Sequence, residues 1–153
     1  MSLEALLPIL LPKAIAWGEE KAKDVIARGR ELLPAELLIA RRVGVQYPER
    51  IRLLLTKQIP FPEDPQLAEV ARRLGLFFTE MNGLTLGYAI IVRQGCLSSR
   101  LLSHECRHVY QYEQAGGIAN FLKEYLQSVV QFGYYNSPFE QDARAHEIEW
   151  IGP

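Results

Sequence analysis

The sequence predicts an α+β domain, mostly helical, with a small sheet placed just before one long polar-faced helix. Three observations carry this. Apolar residues recur at helical spacing towards both ends of the chain, over 12–33 and 118–131. Strand-favouring runs are confined to the middle, at 50–57 and 84–93. Proline, glycine and asparagine separate these segments. At 153 residues, 48% hydrophobic and 23% charged, the chain has the size and composition of a single domain with its own core. The expected organisation is N-terminal helices over 1–45, a small sheet and helix over 46–96, and polar-faced helices over 97–153.

Pro12 suits the first turn of a helix, and Ala14, Trp17, Ala22, Val25, Ile26 and Leu32 continue it to about residue 33. Pro34 opens a second, short helix through Arg42, stopped near Gly44. Arg50 to Lys57 reads as a strand, preceded by Pro48 and closed by Pro60 and Pro62. Pro65 starts a helix that Gly75 ends. Met81-Asn82-Gly83 is a turn signal, and Leu84 to Gly87 and Ala89 to Arg93 then form a hairpin. Ser98 and Ser99 are N-caps for a helix to about Gln114, which Gly116-Gly117 terminates. A further helix spans 118–131, and Asn136-Ser137-Pro138 begins the last one.

The helix capped by Ser98 carries His104-Glu105-Cys106-Arg107-His108. Two histidines four apart lie one turn apart on one helical face, close enough to share a metal ion. Zinc favours such nitrogen ligands in tetrahedral geometry. Glu105 sits about 100° further round the helix. From there it reaches a metal-activated water rather than the metal, as a general base must. One tetrahedral position is left for a third protein ligand. The last helix offers Glu140 and Asp142, which are two apart and do not share a face. Donors to a developing oxyanion are sought among Tyr134, Tyr135, Arg144 and His146, which lie near those carboxylates. Cys106 points away from the metal side and reads as a small buried hydrophobe.

A His-Glu-x-x-His helix followed by a helix with Glu-x-x-Ala resembles the gluzincins, the thermolysin-like clan of zinc metallopeptidases. The resemblance is closer to the soluble bacterial domains with His-Glu-x-x-His-x-x-Gln, including those in contractile injection systems. Gln111 stands at that glutamine, and Leu101-Leu102-Ser103-His104-Glu105 resembles the usual lead-in. The likeness covers about residues 84–147 and leaves out the N-terminal helices. It implies a zincin-like fold and a single Zn2+ held by His104, His108 and Glu140. It also implies Glu105 as the general base, with Gln111 and Asp142 in support. The clan carries an aspartate four residues after the ligand glutamate, where this chain has Arg144. The clan also binds substrate as an extended strand against a sheet edge, and the matching segment here is Thr85-Leu86-Gly87-Tyr88-Ala89-Ile90, with Gly87, Tyr88 and Ala89 at its centre.

The expected activity is hydrolysis of peptide bonds in a peptide or protein. The competing expectation, prompted by Arg144, is a catalytically silent zinc-binding structural or partner-binding module of the same fold. A net charge of −1 gives no electrostatic reason to expect nucleic acid or an anionic membrane as partner. The apolar run from Leu6 to Trp17 is broken by Pro8, Pro12 and Lys13 and is too short to span a bilayer. Only Cys96 and Cys106 are present, which suits free thiols in the cytoplasm.

Overall fold

A computed structural model describes residues 1–76 and 80–149. The last residues assigned above to the domain, 150–153, lie outside the described residues. The elements run α1 (Leu3–Arg28), α2 (Pro34–Arg42), a 3-10 turn (Pro48–Arg50), β1 (Arg52–Thr56) and α3 (Pro65–Arg73). They continue β2 (Gly83–Leu86), β3 (Ala89–Arg93), α4 (Ser99–Ala115), α5 (Ile118–Phe132) and α6 (Pro138–Ala145). This is an α+β architecture, as expected.

The first helix differs from its expected bounds at both ends. It begins at Leu3, capped by the Ser2 hydroxyl, which accepts from the Ala5 amide at 3.1 Å. It then runs through Pro8 and Pro12. Each proline removes a helical hydrogen bond. The helix persists because Leu7 and Leu10 are buried and Leu3, Leu6 and Leu11 pack against the same core. At the other end it stops at Arg28 rather than near 33. The Gly29 amide bonds back to the Val25 carbonyl, and Arg30 then forms a bridge with Leu53 of β1. A Cβ at Gly29 would lie 2.7 Å from the Val25 carbonyl oxygen, so the chain can leave the helix there only with glycine.

The sheet has the order β1-β3-β2, with β1 parallel and β2 antiparallel to β3. Its central strand is apolar on both faces because both are covered. Ala89 and Ile91 face a core shared with α1, α3 and α5. Ile90 and Val92 face a second core containing Ile39 and Ala40 of α2 and Leu102, Cys106 and Val109 of α4. Helix α4 therefore buries its apolar stripe on one side and presents His104, Glu105 and His108 on another. Both cysteines are free thiols, Cys106 fully buried. No helix among the described residues is long and apolar enough to cross a membrane.

Candidate metal centre

Helix α4 is anchored at its start by the Ser98 hydroxyl, which accepts from the Leu101 amide, and ends at Gly116 in the left-handed region. Helix α6 starts with Pro138 in its first turn and Ser137 as cap. The Ser137 hydroxyl also meets that of Ser128 on α5 at 2.7 Å, which fixes where α6 begins. These anchors set Glu140, in the first turn of α6, against the polar face of α4.

Glu140 Oε1 lies 3.2 Å from His104 Nε2 and 3.3 Å from His108 Nε2. Its other oxygen accepts from the Tyr125 hydroxyl at 2.7 Å. Glu140 and His108 are buried and His104 is partly so. One ligand atom from each of these three residues lies within 4.8 Å of the others, and the group could hold a metal ion. A tetrahedral ion with ligand bonds of about 2.0–2.1 Å holds its ligand atoms roughly 3.3–3.4 Å apart. The two imidazole-to-carboxylate distances already match that separation.

Both histidines are oriented by their second ring nitrogen. His108 Nδ1 meets Gln111 Oε1 at 2.7 Å. The Gln111 amide nitrogen donates to the Phe139 carbonyl and to Asp142 Oδ2, each at 2.9 Å, so its oxygen is the acceptor facing the ring. His108 therefore donates from Nδ1 and presents Nε2 to the centre. His104 Nδ1 meets Glu147 Oε2 at 2.8 Å, and Arg100 Nε donates to the other Glu147 oxygen at 2.8 Å. Such partners fix the tautomer and the ring plane of metal-binding histidines.

The choice between Glu140 and Asp142 is decided by position. Both Asp142 oxygens bond Arg107, at 2.8 and 3.3 Å, and one also accepts from Gln111. Asp142 thus holds the glutamine that holds His108. Arg107 is tied in turn to the Val43 carbonyl at 2.7 Å. Arg144, standing where an aspartate was expected, turns away: it donates to the Tyr135 carbonyl and lies 3.9 Å from the Tyr135 ring centre. The carboxylate on His104 comes instead from Glu147, beyond the end of α6. Tyr135 is 68% exposed, and His146 Nδ1 folds back to the Asp142 carbonyl, so neither reaches the centre. Tyr134 lines the same cavity as His104, Glu105 and Glu140.

Glu105 is buried beside the centre, and β2 holds it. The Thr85 hydroxyl lies 2.8 Å from Glu105 Oε1 and 3.1 Å from the Glu105 carbonyl. A Cβ at Gly83 would lie 3.0 Å from Glu105 Cδ and Oε2, so glycine leaves the space this carboxylate occupies. The expected substrate strand is corrected in part: Thr85 and Leu86 lie on the edge strand β2, but the residues after them do not. Gly87, with φ +65, forms the hairpin turn with Tyr88, and Ala89 belongs to the central strand, paired on both sides. The Tyr88 hydroxyl donates to Glu113 at 2.7 Å, and its ring packs in the core on the far face of the sheet. The strand beside α4 is β2.

The electrostatics follow from this packing. Burial raises the Glu140 carboxyl, but the two histidines and the Tyr125 hydroxyl outweigh it and hold the group well below the usual carboxylate range. Burial lowers His108, but the charge and hydrogen bond of Glu140 hold it up at about 9. Burial and the Glu140 charge push the Tyr125 and Tyr134 hydroxyls far above their ordinary values. Both remain proton donors throughout the working pH range.

Glu147, Tyr125, Thr85 and Gly83 carry no motif signal for this centre. They reach it from three places, the segment after α6, helix α5 and strand β2, and only the packing of α4 against β2, α5 and α6 brings them together. Compared with models of known protein families, with curated proteins and with solved structures, the chain matches none. The reading of the centre rests on its geometry. Replacing Glu147 with alanine is expected to weaken metal binding about 10–100-fold while the fold is kept. Competition with a chromophoric chelator measures this, and an unchanged affinity would remove Glu147 from the centre.

Proposed function

We propose that the protein is a zinc-dependent peptidase of zincin-like fold. The observation that carries this is one carboxylate oxygen at coordination spacing from two imidazoles, with a separate buried carboxylate, Glu105, beside it. A bound zinc ion would act as a Lewis acid and lower the pKa of a coordinated water towards about 7. His104, His108 and Glu140 would hold that ion. Glu105 takes no part in the triad and is free to take a proton from the attacking water and pass it to the leaving amine. Thr85 holds one oxygen of Glu105, and the missing side chain of Gly83 leaves room for the other. Tyr134, kept protonated by burial, is the donor available to a developing oxyanion. The substrate is a peptide or an amide of similar chemistry.

The test is hydrolysis of a mixed peptide library by protein loaded with zinc. Activity is expected to vanish with 1,10-phenanthroline and to return on adding zinc, with one ion bound per chain. Activity that persists after complete metal removal overturns the reading.

The role given to Gly83 has its own test. Its φ is not in the left-handed region, so alanine is compatible with the backbone there. Gly83→Ala is therefore expected to keep the fold and the zinc but push the Glu105 carboxylate aside, lowering kcat on the order of tenfold or more. Unchanged kcat would show that Glu105 does not depend on this space.

A further inference from the structure

The centre lies where two cavities of opposite character meet. Met81, Gly83, His104, Glu105 and Tyr134 line both. On one side is a cavity of about 130 Å³ under the N-terminal helix. Its far wall is built from Leu7, Leu10 and Ala14 of α1 and Leu67, Val70 and Leu74, on and just after α3. Among its described lining residues, carboxylates, imidazoles and hydroxyls are confined to β2, α4, α5, α6 and the segment before α6. On the other side is an open polar cleft lined by Asn82, Ser98, Arg100 and Glu147.

The size of the apolar cavity limits what can enter. A cavity near 150 Å³ takes a benzene-sized guest, so this one has room for a single bulky apolar group. A peptide main chain is disfavoured against the far wall. Its amides would meet mainly leucine, valine and alanine there, and an unpaired buried amide is costly. The sheet edge gives main-chain pairing little scope as well. The Asn82 carbonyl accepts from the Arg93 amide, so Asn82 faces β3. Alternation along an antiparallel strand then turns Gly83 and Thr85 outward. The Thr85 carbonyl is already taken by the Tyr112 hydroxyl at 3.0 Å. Among the described residues of this edge, Gly83 and the Thr85 amide are what is left to pair with an extended chain.

We propose, resting on the hydrolase reading above, that the substrate is a short amide anchored by one bulky apolar group. That group, aliphatic or aromatic, fills the cavity under α1. The remainder of the molecule lies in the open polar cleft beside Arg100, and recognition does not come from an extended peptide strand. Helix α1 is thereby the specificity wall of the site.

Three probes test this by isothermal titration, with zinc and without it: acetohydroxamate, 3-phenylpropanohydroxamate and the hydroxamate of triglycine. The phenyl probe is expected to bind zinc-loaded protein roughly ten- to hundredfold tighter than acetohydroxamate, from burial of one large apolar group. The triglycine probe, which has main-chain amides and no side chain, is expected to match acetohydroxamate within about threefold. Ala14→Trp fills the cavity and is expected to abolish the phenyl preference while leaving acetohydroxamate affinity and zinc content unchanged. Leu11→Phe is a milder obstruction, used if circular dichroism shows the tryptophan variant unfolded. Equal binding of phenyl and acetyl probes, or a triglycine probe bound more than tenfold tighter than acetohydroxamate, overturns the proposal. Those outcomes differ from a failure of the metal reading, in which zinc changes no affinity while the phenyl preference and its loss in Ala14→Trp persist.

Discussion

Replacing Glu105 with glutamine is expected to leave one zinc ion per chain and to slow hydrolysis by about 10²–10⁴-fold. The expectation follows from the separation of two tasks on one helix. His104 and His108 converge on Glu140, and Glu105 is not among the three residues that could hold the ion. Glutamine has nearly the same shape, and its carbonyl oxygen can accept from the Thr85 hydroxyl that now lies 2.8 Å from Glu105 Oε1. What glutamine cannot do is take a proton and give it back. A positioned general base contributes about 10²–10⁴-fold, so kcat falls by that factor with KM little changed. Metal analysis and steady-state kinetics on the same preparation measure both halves. Undiminished turnover with full zinc would remove Glu105 from the chemistry. If wild type and variant both bind zinc and neither cuts any peptide, the silent-module reading takes its place.

The parts of this centre that could be read from the chain are those set by local periodicity. His104 and His108 four apart, with Glu105 next to the first, share a helix whose caps, Ser98 and Gly116, are visible as residue types. Glu140 was legible as one of two carboxylates on the last helix. Spacing alone leaves Asp142 open and the resemblance favours Glu140; the physical reason is Arg107, which binds both Asp142 oxygens and lies 35 residues away in sequence. Arg144 shows the same limit from the other side. Its presence prompts the expectation of a catalytically silent module, but the orientation of the histidine depends on which carboxylate reaches His104 Nδ1. The chain folds back after α6 and supplies Glu147. The N-terminal helix was misjudged for a different reason. Pro12 carries a strong local signal for a helix start, and the burial of Leu7 and Leu10 against the core overrides it. That correction matters for function, because the turns added before Pro12 form part of the cavity wall.

Replacing Glu140 with glutamine is expected to lower zinc affinity by more than a hundredfold. Asp142→Ala, which only loosens Gln111 behind His108, should stay within the 10–100-fold typical of an outer partner. Equal losses in the two variants would put Asp142 on the metal. The metal-free protein separates them further, because Glu140 is also the counter-charge for one buried and one partly buried imidazole. The His108 pKa is held at about 9 against its ordinary 6.5, since the charge and hydrogen bond of Glu140 outweigh burial, with Glu105 adding to the pull. A group raised in the folded state contributes stability that is fully present below its unfolded pKa and lost as pH rises through the folded one. The Glu140 carboxyl is held well below its ordinary 4.5, so its share is present above that value and lost in acid. Metal-free wild type should therefore exceed metal-free Glu140→Gln in stability most clearly between about pH 4.5 and 6.5. The advantage should fade as pH rises through about 9. Urea unfolding at pH 6 and pH 10 measures the difference, and superimposable curves at pH 6 would show that Glu140 does not hold the imidazoles charged. Protons held in this way must leave when zinc binds. Zinc titrations at pH 7 in two buffers of different ionisation heat should accordingly show proton release in wild type and less of it in Glu140→Gln.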